Sequence, residues 1–399
     1  MTRAKSPCLA VLAALALLLG GCTGSQEART PVALIVAGDD GSGGSVLGLV
    51  ATGLPPSAGT DDTPLRWLDG FERTVAGSFV DLAVARDVPD RVHLLTRQGD
   101  SDLLTRFDAS SLDFADPGSL ARLDAVTIDV SAIVADSGSD VLSGEALCSR
   151  GMSVSRDGRW LGLLHDPAGC SLAASTPTVL LVEIVGEGGA VPRVGPSSPS
   201  TDDAAATPVF SGTGDDAALV WSLRDGSVRT LSVTDPLGPV AELVKVDLSG
   251  DPAIARGATG LVAADEDWLV SFQVDGNDVS DHWPVPAAAG TLDGLVDSSL
   301  LPSSSAIALS DGGVVVVPDV DADPVQASVA FASVAGIVDA TVDPYAFLYA
   351  VSPSGIVTFD LLRVVTTGTL TPVSGASASV AAFDPLAVDW LFGTSSDEP

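Results

Sequence analysis

One pattern recurs along most of this chain and constrains its fold more than any other feature. It consists of an apolar run beginning Val-Asp, a turn, a second apolar run, a glycine turn and a third run ending Phe-Asp. It is clearest in Val80–Asp108 and Val338–Asp360. Short apolar runs bounded by Gly, Pro and Asp predict β-strands. Weaker copies occupy Gly151–Pro167 with Thr178–Ile184, Thr207–Val233, Gly260–Gly276 and Ser304–Val320.

A fourth apolar run usually follows each copy, as in Ala241–Leu248. Four antiparallel strands per repeat are typical of a propeller blade, which buries its faces only against neighbouring blades. Ser379–Gly393 copies the start of a blade, and Val32–Val50 resembles the continuation of one. The sequence therefore predicts an all-β propeller of seven four-stranded blades, closed by strands from both ends of the chain. Six or eight blades, or two tandem β-sandwiches, are the alternatives.

Few helices are expected, because no stretch sustains a helical period with caps for long. The segments that most resemble helices are Asp116–Asp124 and Ala287–Leu301.

The N-terminal segment is typical of a signal rather than of structure. Arg3 and Lys5 precede the apolar stretch Leu9–Gly21, which is shorter than the roughly 20 residues of a membrane-spanning helix. The stretch runs into Leu-Gly-Gly-Cys, which looks like the lipobox of bacterial lipoproteins and makes Cys22 the expected site of lipidation. An ordinary secretory signal ending near a cysteine is the alternative.

The expected organisation is a signal peptide over 1–21, a lipidated tether over 22–30, a propeller over 31–394 and a tail over 395–399. Thr23 follows the cysteine, with no Asp there to indicate retention at an inner membrane. We therefore expect an extracytoplasmic protein held by its lipid, at the outer membrane if the host has one.

Two other cysteines, Cys148 and Cys170, flank a predicted hairpin that turns at Asp157 and Gly158. The ends of a strand pair lie within disulfide range, and disulfides persist outside the cytoplasm. The sequence therefore predicts a Cys148–Cys170 disulfide. A thiolate metal site is the alternative, although no CxxC motif or histidine cluster accompanies it.

Charge composition restricts the partners. The chain has 52 acidic and 19 basic residues and a formal net charge of −33, which disfavours nucleic acid and favours cationic partners. Asp319, Asp321 and Asp323 alternate along a loop and make a candidate Ca²⁺ site, with an acidic solvated turn as the alternative. Asp81 and Asp339 begin equivalent inner strands and are candidate ligand-binding residues at an acidic channel rim.

Aromatic and histidine residues give weaker indications. Trp160, Trp268 and Trp390 are expected to begin second strands at equivalent blade positions and to pack between blades. Trp67 and Trp283 lie in less regular segments and are candidates for stacking on a sugar or peptide. No HExxH or GxSxG motif occurs, and the histidines are scattered. We expect no catalytic residue and, apart from Ca²⁺, no cofactor.

The segment from Val342 to Asp360, with Ser155–Trp160 (SRDGRW), resembles the YVTN-type bacterial surface propellers and their lactonase-like relatives. The resemblance implies a seven-bladed ring with a central channel, but no particular reaction. The interpretation is a monomeric, membrane-anchored lipoprotein whose propeller binds or scaffolds a protein or an envelope polysaccharide. One alternative is a lactonase-like hydrolase acting at the channel, although the histidine and arginine cluster expected of it is not visible. Another is a propeller lipoprotein that assists outer-membrane protein assembly.

Overall fold

The computed structural model describes residues 31–52, 65–87, 91–114, 116–137, 146–166, 170, 177–184, 194–195, 204–248, 250–257, 260–273, 279–280, 282–301, 305–320, 329–380 and 383–392. The predicted signal peptide, Cys22, Asp321 and Asp323 lie outside these ranges. Within them, no helix combines the length and apolar character needed to span a membrane.

The described residues form seven antiparallel sheets of four strands each. The chain begins with β1 (Pro31–Asp39), β2 (Gly44–Ala51) and β3 (Arg66–Ala76). Blade 1 is β4 (Ser78–Ala85), β5 (Arg91–Gln98), β6 (Ser101–Asp108) and β7 (Ala125–Asp129). Blade 2 is β8 (Ser149–Val154), β9 (Trp160–His165), β10 (Thr178–Glu183) and β11 (Val194–Gly195). Blade 3 is β12 (Val209–Ser211), β13 (Ala218–Ser222), β14 (Ser227–Ser232) and β15 (Ala241–Lys245).

Blade 4 is β16 (Ala253–Arg256), β17 (Leu261–Ala264), β18 (Trp268–Phe272) and β19 (Trp283–Pro284). Blade 5 is β20 (Leu292–Val296), β21 (Ala306–Ser310), β22 (Gly313–Val317) and β23 (Ala330–Ser333). Blade 6 is β24 (Asp339–Val342), β25 (Phe347–Ser352), β26 (Gly355–Asp360) and β27 (Pro372–Ala378). The last strand, β28 (Asp384–Phe392), joins β1, β2 and β3 as blade 7.

Blade 7 closes the ring with strands from both ends of the chain, as the sequence predicted. β28 is its innermost strand and pairs antiparallel with β1 from Pro31 opposite Phe392 to Asp39 opposite Asp384. The backbones approach closely here, because a Cβ added at Gly38 would overlap the carbonyl group of Asp384. The predicted seven-bladed propeller is confirmed, and the alternative blade counts and tandem sandwiches are excluded.

The middle strands of the blades are nearly continuous apolar runs because neighbouring blades cover both of their faces. All six residues of β9 and of β10 are buried, in contrast to the alternation of a sheet that is half exposed to water. Large side chains such as Trp160, Trp221 and Phe359 fill the spaces between blades with at most 2% of their surface exposed. Burial of apolar surface contributes about 25 cal/mol per Å², so this packing stabilises the contact between neighbouring blades.

The strand order fixes which loops share a face of the propeller. Within a blade the first and third strands run in the same direction, so both end at one face. That face is also where β28 ends and β1 begins, since Phe392 pairs with Pro31. We call it the β1 face. Connections from first to second strand and from third to fourth strand lie on it, and the remaining connections lie on the opposite face.

Three short α-helices occur among the described residues: Ser119–Arg122, Val130–Asp136 and Leu361–Thr367. Short 3₁₀ turns cover Ala109–Ser111 and Gly214–Asp216. The first α-helix lies inside one of the segments expected to be helical. The expected helix over Ala287–Leu301 is wrong, because the apolar residues at its centre form β20, which pairs with β21 in blade 5.

Candidate functional site: the central channel

The innermost strands of all seven blades surround a central cavity of about 540 Å³. The blade topology places one short inner strand from each sheet at the axis, so residues far apart in sequence line the same space. Charged side chains are prominent in the lining, which includes Asp81, Arg86, Arg150, Arg156, Arg256, Asp293, Asp297, Asp339 and Asp389.

Three of these carboxylates lie on the adjacent inner strands of blades 6, 7 and 1. Each accepts a hydrogen bond from a backbone N–H on the inner strand of the next blade. Asp339 accepts from Val388 at 2.8 Å. Asp389 accepts from Val84 at 3.0 Å, and Asp81 accepts from Met152 at 2.7 Å. The carboxylates therefore satisfy N–H groups along inner-strand edges that no sheet neighbour covers.

Burial changes the acidity of two members of this trio. It raises the pKa of Asp339 to about 8, and the nearby carboxylates of Asp81 and Asp389 oppose ionisation further. Burial likewise raises the pKa of Asp81 to about 6, although the N–H groups of Met152 and Leu82 stabilise its charged form. Both residues retain partial exposure. The cavity thus holds two carboxyl groups whose protonation changes between mildly acidic and mildly basic pH.

Asp389 has a cationic partner. The Arg86 guanidinium forms an ion pair with it, donates to the Trp390 carbonyl at 2.5 Å and stacks 3.6 Å from the centroid of the Trp390 ring. Thr341 of blade 6 also donates to Asp389, at 3.1 Å. These contacts join blades 6, 7 and 1 at the point where the ring closes.

The other arginines at the cavity are also paired with acidic residues. Arg256 pairs with Asp297, and this contact lowers the pKa of the Asp297 carboxyl despite the opposing effect of burial. The remaining pairs are Arg156 with Asp87 and Arg150 with Asp166.

Of the histidine and arginine cluster that was not visible in the sequence, the structure brings the arginines together at the channel. Four arginines line one cavity in a chain with 19 basic residues overall. Arg86 and Arg156 each follow an inner strand in the patterns Val-Ala-Arg-Asp and Val-Ser-Arg-Asp, and Arg256 ends one. That repeated position was a signal in the sequence that could have identified them.

The histidines lie elsewhere, since no histidine is among the described residues that line the cavity. His93 is fully buried in β5, and burial, with Arg106 and Arg91 nearby, lowers its pKa to about 3. The His165 Nδ1 atom lies 3.1 Å from the backbone nitrogen of Cys148.

The candidate ligand-binding residues separate into two groups. Asp81 and Asp339 face the same cavity, as expected. Trp283 does not offer a stacking surface: it is 0% exposed and its indole N–H donates to the Val320 carbonyl at 3.2 Å. Trp67 packs edge-on against Phe383, with ring centroids 5.7 Å apart.

Two further predictions concern tryptophan packing and the disulfide. Trp160 and Trp390 are buried between blades, but Trp268 is 41% exposed, so its expected burial is wrong. The expected equivalence is also wrong, because only Trp160 begins a second strand, whereas Trp268 begins a third strand and Trp390 lies in the innermost strand β28. The Cys148–Cys170 disulfide is present, with 5.5 Å between the Cα atoms. It joins the start of blade 2 to the loop after β9, on the face opposite β1.

The candidate Ca²⁺ residues remain a prediction. Asp319 lies just after β22, whereas Asp321 and Asp323 are outside the described residues. Within the part of the chain that the structure describes, no three His, Cys, Asp or Glu side chains are arranged to hold a metal ion.

Comparison with known proteins gives the fold. The sequence matches no protein-family model, and no curated protein is similar to it in sequence. The structure is similar to the periplasmic gluconolactonase PpgL of Pseudomonas aeruginosa, with a TM-score of 0.57 and 14% identity, over 90% of this chain and 98% of that one. A streptogramin B lyase aligns at a TM-score of 0.48 and 10% identity, over 79% of this chain and 90% of the lyase. A chain of the nidogen/laminin complex aligns at 0.42 and 11% identity, over 89% and 97% respectively.

Proposed function

We propose that the protein is a lipid-anchored, extracytoplasmic binding module whose propeller holds a protein or an envelope polysaccharide. Cys22, at the end of the lipobox-like sequence, carries the lipid. The Cys148–Cys170 disulfide supports the location, because disulfides form and persist in oxidising compartments.

The observation that carries binding rather than catalysis is how the channel uses its carboxylates. Asp339, Asp389 and Asp81 each accept an N–H bond from the next inner strand, at 2.8, 3.0 and 2.7 Å. A general acid or base must be positioned to exchange a proton with substrate. Here the carboxylate oxygens of these three residues accept hydrogen bonds that join neighbouring blades, so their role is structural. The ligand therefore binds to the outer surface of the propeller.

The negative charge of the protein favours a ligand with a positively charged surface. The net charge of −33 gives the exterior a negative field, while several basic side chains are already paired, among them Arg86, Arg156 and Arg256. Long-range attraction of this kind weakens as salt shortens the screening length from about 10 Å at 0.1 M to about 3 Å at 1 M. Association with basic protein loops should therefore be sensitive to salt.

Two measurements test the proposal. The mass of the N-terminal peptide from membrane-purified protein should show a diacylglyceryl group on Cys22, and globomycin should cause the precursor to accumulate. Binding to an immobilised basic peptide, and to purified peptidoglycan and envelope polysaccharide, should be measured at about 0.1 M and about 1 M salt. An unmodified Cys22, or no binding to any of these probes at the lower salt, contradicts the proposal.

A lactonase-like hydrolase is the second candidate, favoured by one specific observation. Asp339 and Asp81 face the cavity with pKa values raised to about 8 and about 6, close to the range useful for acid–base catalysis at neutral pH. Hydrolysis of gluconolactone above its uncatalysed rate, abolished by Asp339→Asn and retained by Asp293→Asn, would establish this function. Asp293 is the matched control because it makes the same charge change in the same cavity. Absence of turnover in the unmodified protein excludes it.

A further inference from the structure

Most of the large hydrophobic side chains that are strongly exposed lie on the β1 face. Among the described residues, Trp268 at 41% and Val338 at 42% lie at strand starts on the opposite face, and Val126 at 39% lies in the outer strand β7. The other four are Leu237 at 64%, Val279 at 44%, Leu362 at 49% and Val365 at 50%. Each lies in a connection from the third to the fourth strand of its blade, in blades 3, 4 and 6. The strand directions place all these connections on the β1 face, so the four side chains project from the same side of the ring.

Leu237 is held at the tip of a tight turn. It follows Pro236, which restricts the backbone, and the Gly238 N–H donates to the Asp235 carbonyl at 2.9 Å. A leucine fixed at a turn tip has little backbone freedom to lose on entering an apolar environment.

Leu362 and Val365 are presented by the helix Leu361–Thr367. The Asp360 carboxylate caps this helix by accepting from the Arg363 N–H at 3.1 Å, and buried Leu361 and Val364 hold it against the blade. Residues three apart on a helix are neighbours, so Leu362 and Val365 form one apolar patch. Arg363 between them is exposed as well, and a guanidinium suits the phosphate of a lipid headgroup.

The lipid anchor of the proposed function attaches to this same face. β1 begins there at Pro31, and eight residues separate Pro31 from Cys22. At most about 3.3–3.6 Å per residue, such a tether extends roughly 30 Å. An acyl group on Cys22 therefore keeps the β1 face near the bilayer rather than the opposite face.

We propose that the β1 face rests on the lipid bilayer, with Leu237, Val279, Leu362 and Val365 entering its interfacial layer. This orientation rests on the proposed lipid anchor. The acyl chain holds the protein at the membrane, and the four side chains set how it is oriented there. The opposite face, with Trp268 and the disulfide, points away from the membrane and is available to the partner.

The test places a fluorophore at one position of the full-length, membrane-purified protein. Leu362→Cys reports on the β1 face, and Trp268→Cys is the matched control, because Trp268 has a similar exposure of 41% and begins a third strand at the opposite face. Each labelled protein is incorporated into phosphatidylcholine vesicles whose acyl chains carry bromine, a contact quencher.

Side chains of interfacial segments lie about 5–10 Å into the headgroup and acyl boundary. We therefore expect the label at position 362 to lose fluorescence through contact with the brominated chains, while the label at 268 stays unquenched. Equal signals at the two positions, or quenching only at 268, overturn the proposal. The label at position 362 could also be shielded from water in native membranes and yet not be quenched in vesicles of pure lipid. That result overturns the proposal and assigns the β1 face to a protein partner.

The mass of the Cys22 peptide from the same sample separates this inference from the proposed function. Acylation without quenching at 362 leaves the anchor in place and refutes the orientation. Quenching at 362 without acylation supports contact of the β1 face with lipid and refutes the anchor.

Discussion

His93 should make the propeller sensitive to acid. Its ring is fully buried in β5, and neither ring nitrogen has a hydrogen-bond partner among the described residues. Burial, with Arg106 and Arg91 close by, lowers the pKa from 6.5 to about 3. The folded protein therefore keeps this histidine neutral at pH values where the unfolded chain protonates it.

The sign and size follow from proton linkage. Above pH 6.5 His93 is neutral in both states and does not affect the free energy of unfolding. As the pH falls below 6.5, the unfolded state binds the proton and the folded state does not, so stability is lost down to the folded pKa. Each pH unit below the pKa of the unfolded state corresponds to about 1.4 kcal/mol. Lowering the pH from 8 to 5 should therefore reduce the free energy of unfolding by about 2 kcal/mol. This loss is the same for any pKa of His93 in the folded state that lies well below 5.

The assay is urea unfolding at pH 8 and pH 5 for the unmodified protein, His93→Leu and His282→Gln. The raised pKa values of Asp81 and Asp339 oppose the histidine, since their burial makes the fold more stable at low pH. The comparison between variants removes that background. His93→Leu should lose about 2 kcal/mol less than the unmodified protein over this interval, and this difference should exceed the one produced by His282→Gln. The same pH dependence in all three proteins would refute the reasoning.

Three other predictions concern the channel, the closure of the ring and the disulfide. Asp339→Asn keeps an oxygen acceptor but removes a buried charge, so in urea titrations it should stabilise the protein by at least about 1 kcal/mol more at pH 8 than at pH 5; an equal effect at both pH values would show that this carboxyl is not desolvated. Gly38→Ala should lower stability by about 1–3 kcal/mol, measured by thermal unfolding, because the new methyl group meets the Asp384 carbonyl; an unchanged melting temperature would mean that the closure tolerates wider spacing. Replacing Cys148 and Cys170 together with serine should cost roughly 3 kcal/mol for a loop of this length in denaturant titrations, and no loss would show that the loop is held by other contacts.

The sequence was sufficient for the architecture because strands and turns are encoded locally. The Val-Asp starts of β4 and β24 and the complementary ends of the chain predicted the blades and their closure. The helix expected over Ala287–Leu301 is absent. Over so short a stretch, the spacing of its apolar residues fits both a helix and a strand, and pairing with β21 favours the strand.

The channel was harder to anticipate because its lining is assembled from seven distant strands. Asp81 and Asp339 stood out through their shared position in the repeat. Asp389 occupies the same position in a split blade, and its pairing with Arg86 is visible only after closure. Trp283 and Trp268 were assigned the wrong way round, since burial of a strand residue depends on which neighbouring segments cover it.

The pairing of β1 with β28 has a consequence for how the protein is made. Synthesis delivers β1, β2 and β3 first, yet the strand that completes their sheet follows the six other blades in sequence. The ring therefore cannot close before Asp384–Phe392 has been synthesised, and until then β1 keeps an unpaired edge. Pairing between such distant segments is intrinsically slow, and an uncovered edge invites pairing with other chains. A chain that stops before Asp384 would thus be left with six finished blades and one unpaired strand edge, which makes the loss of this strand more harmful than its nine residues would suggest.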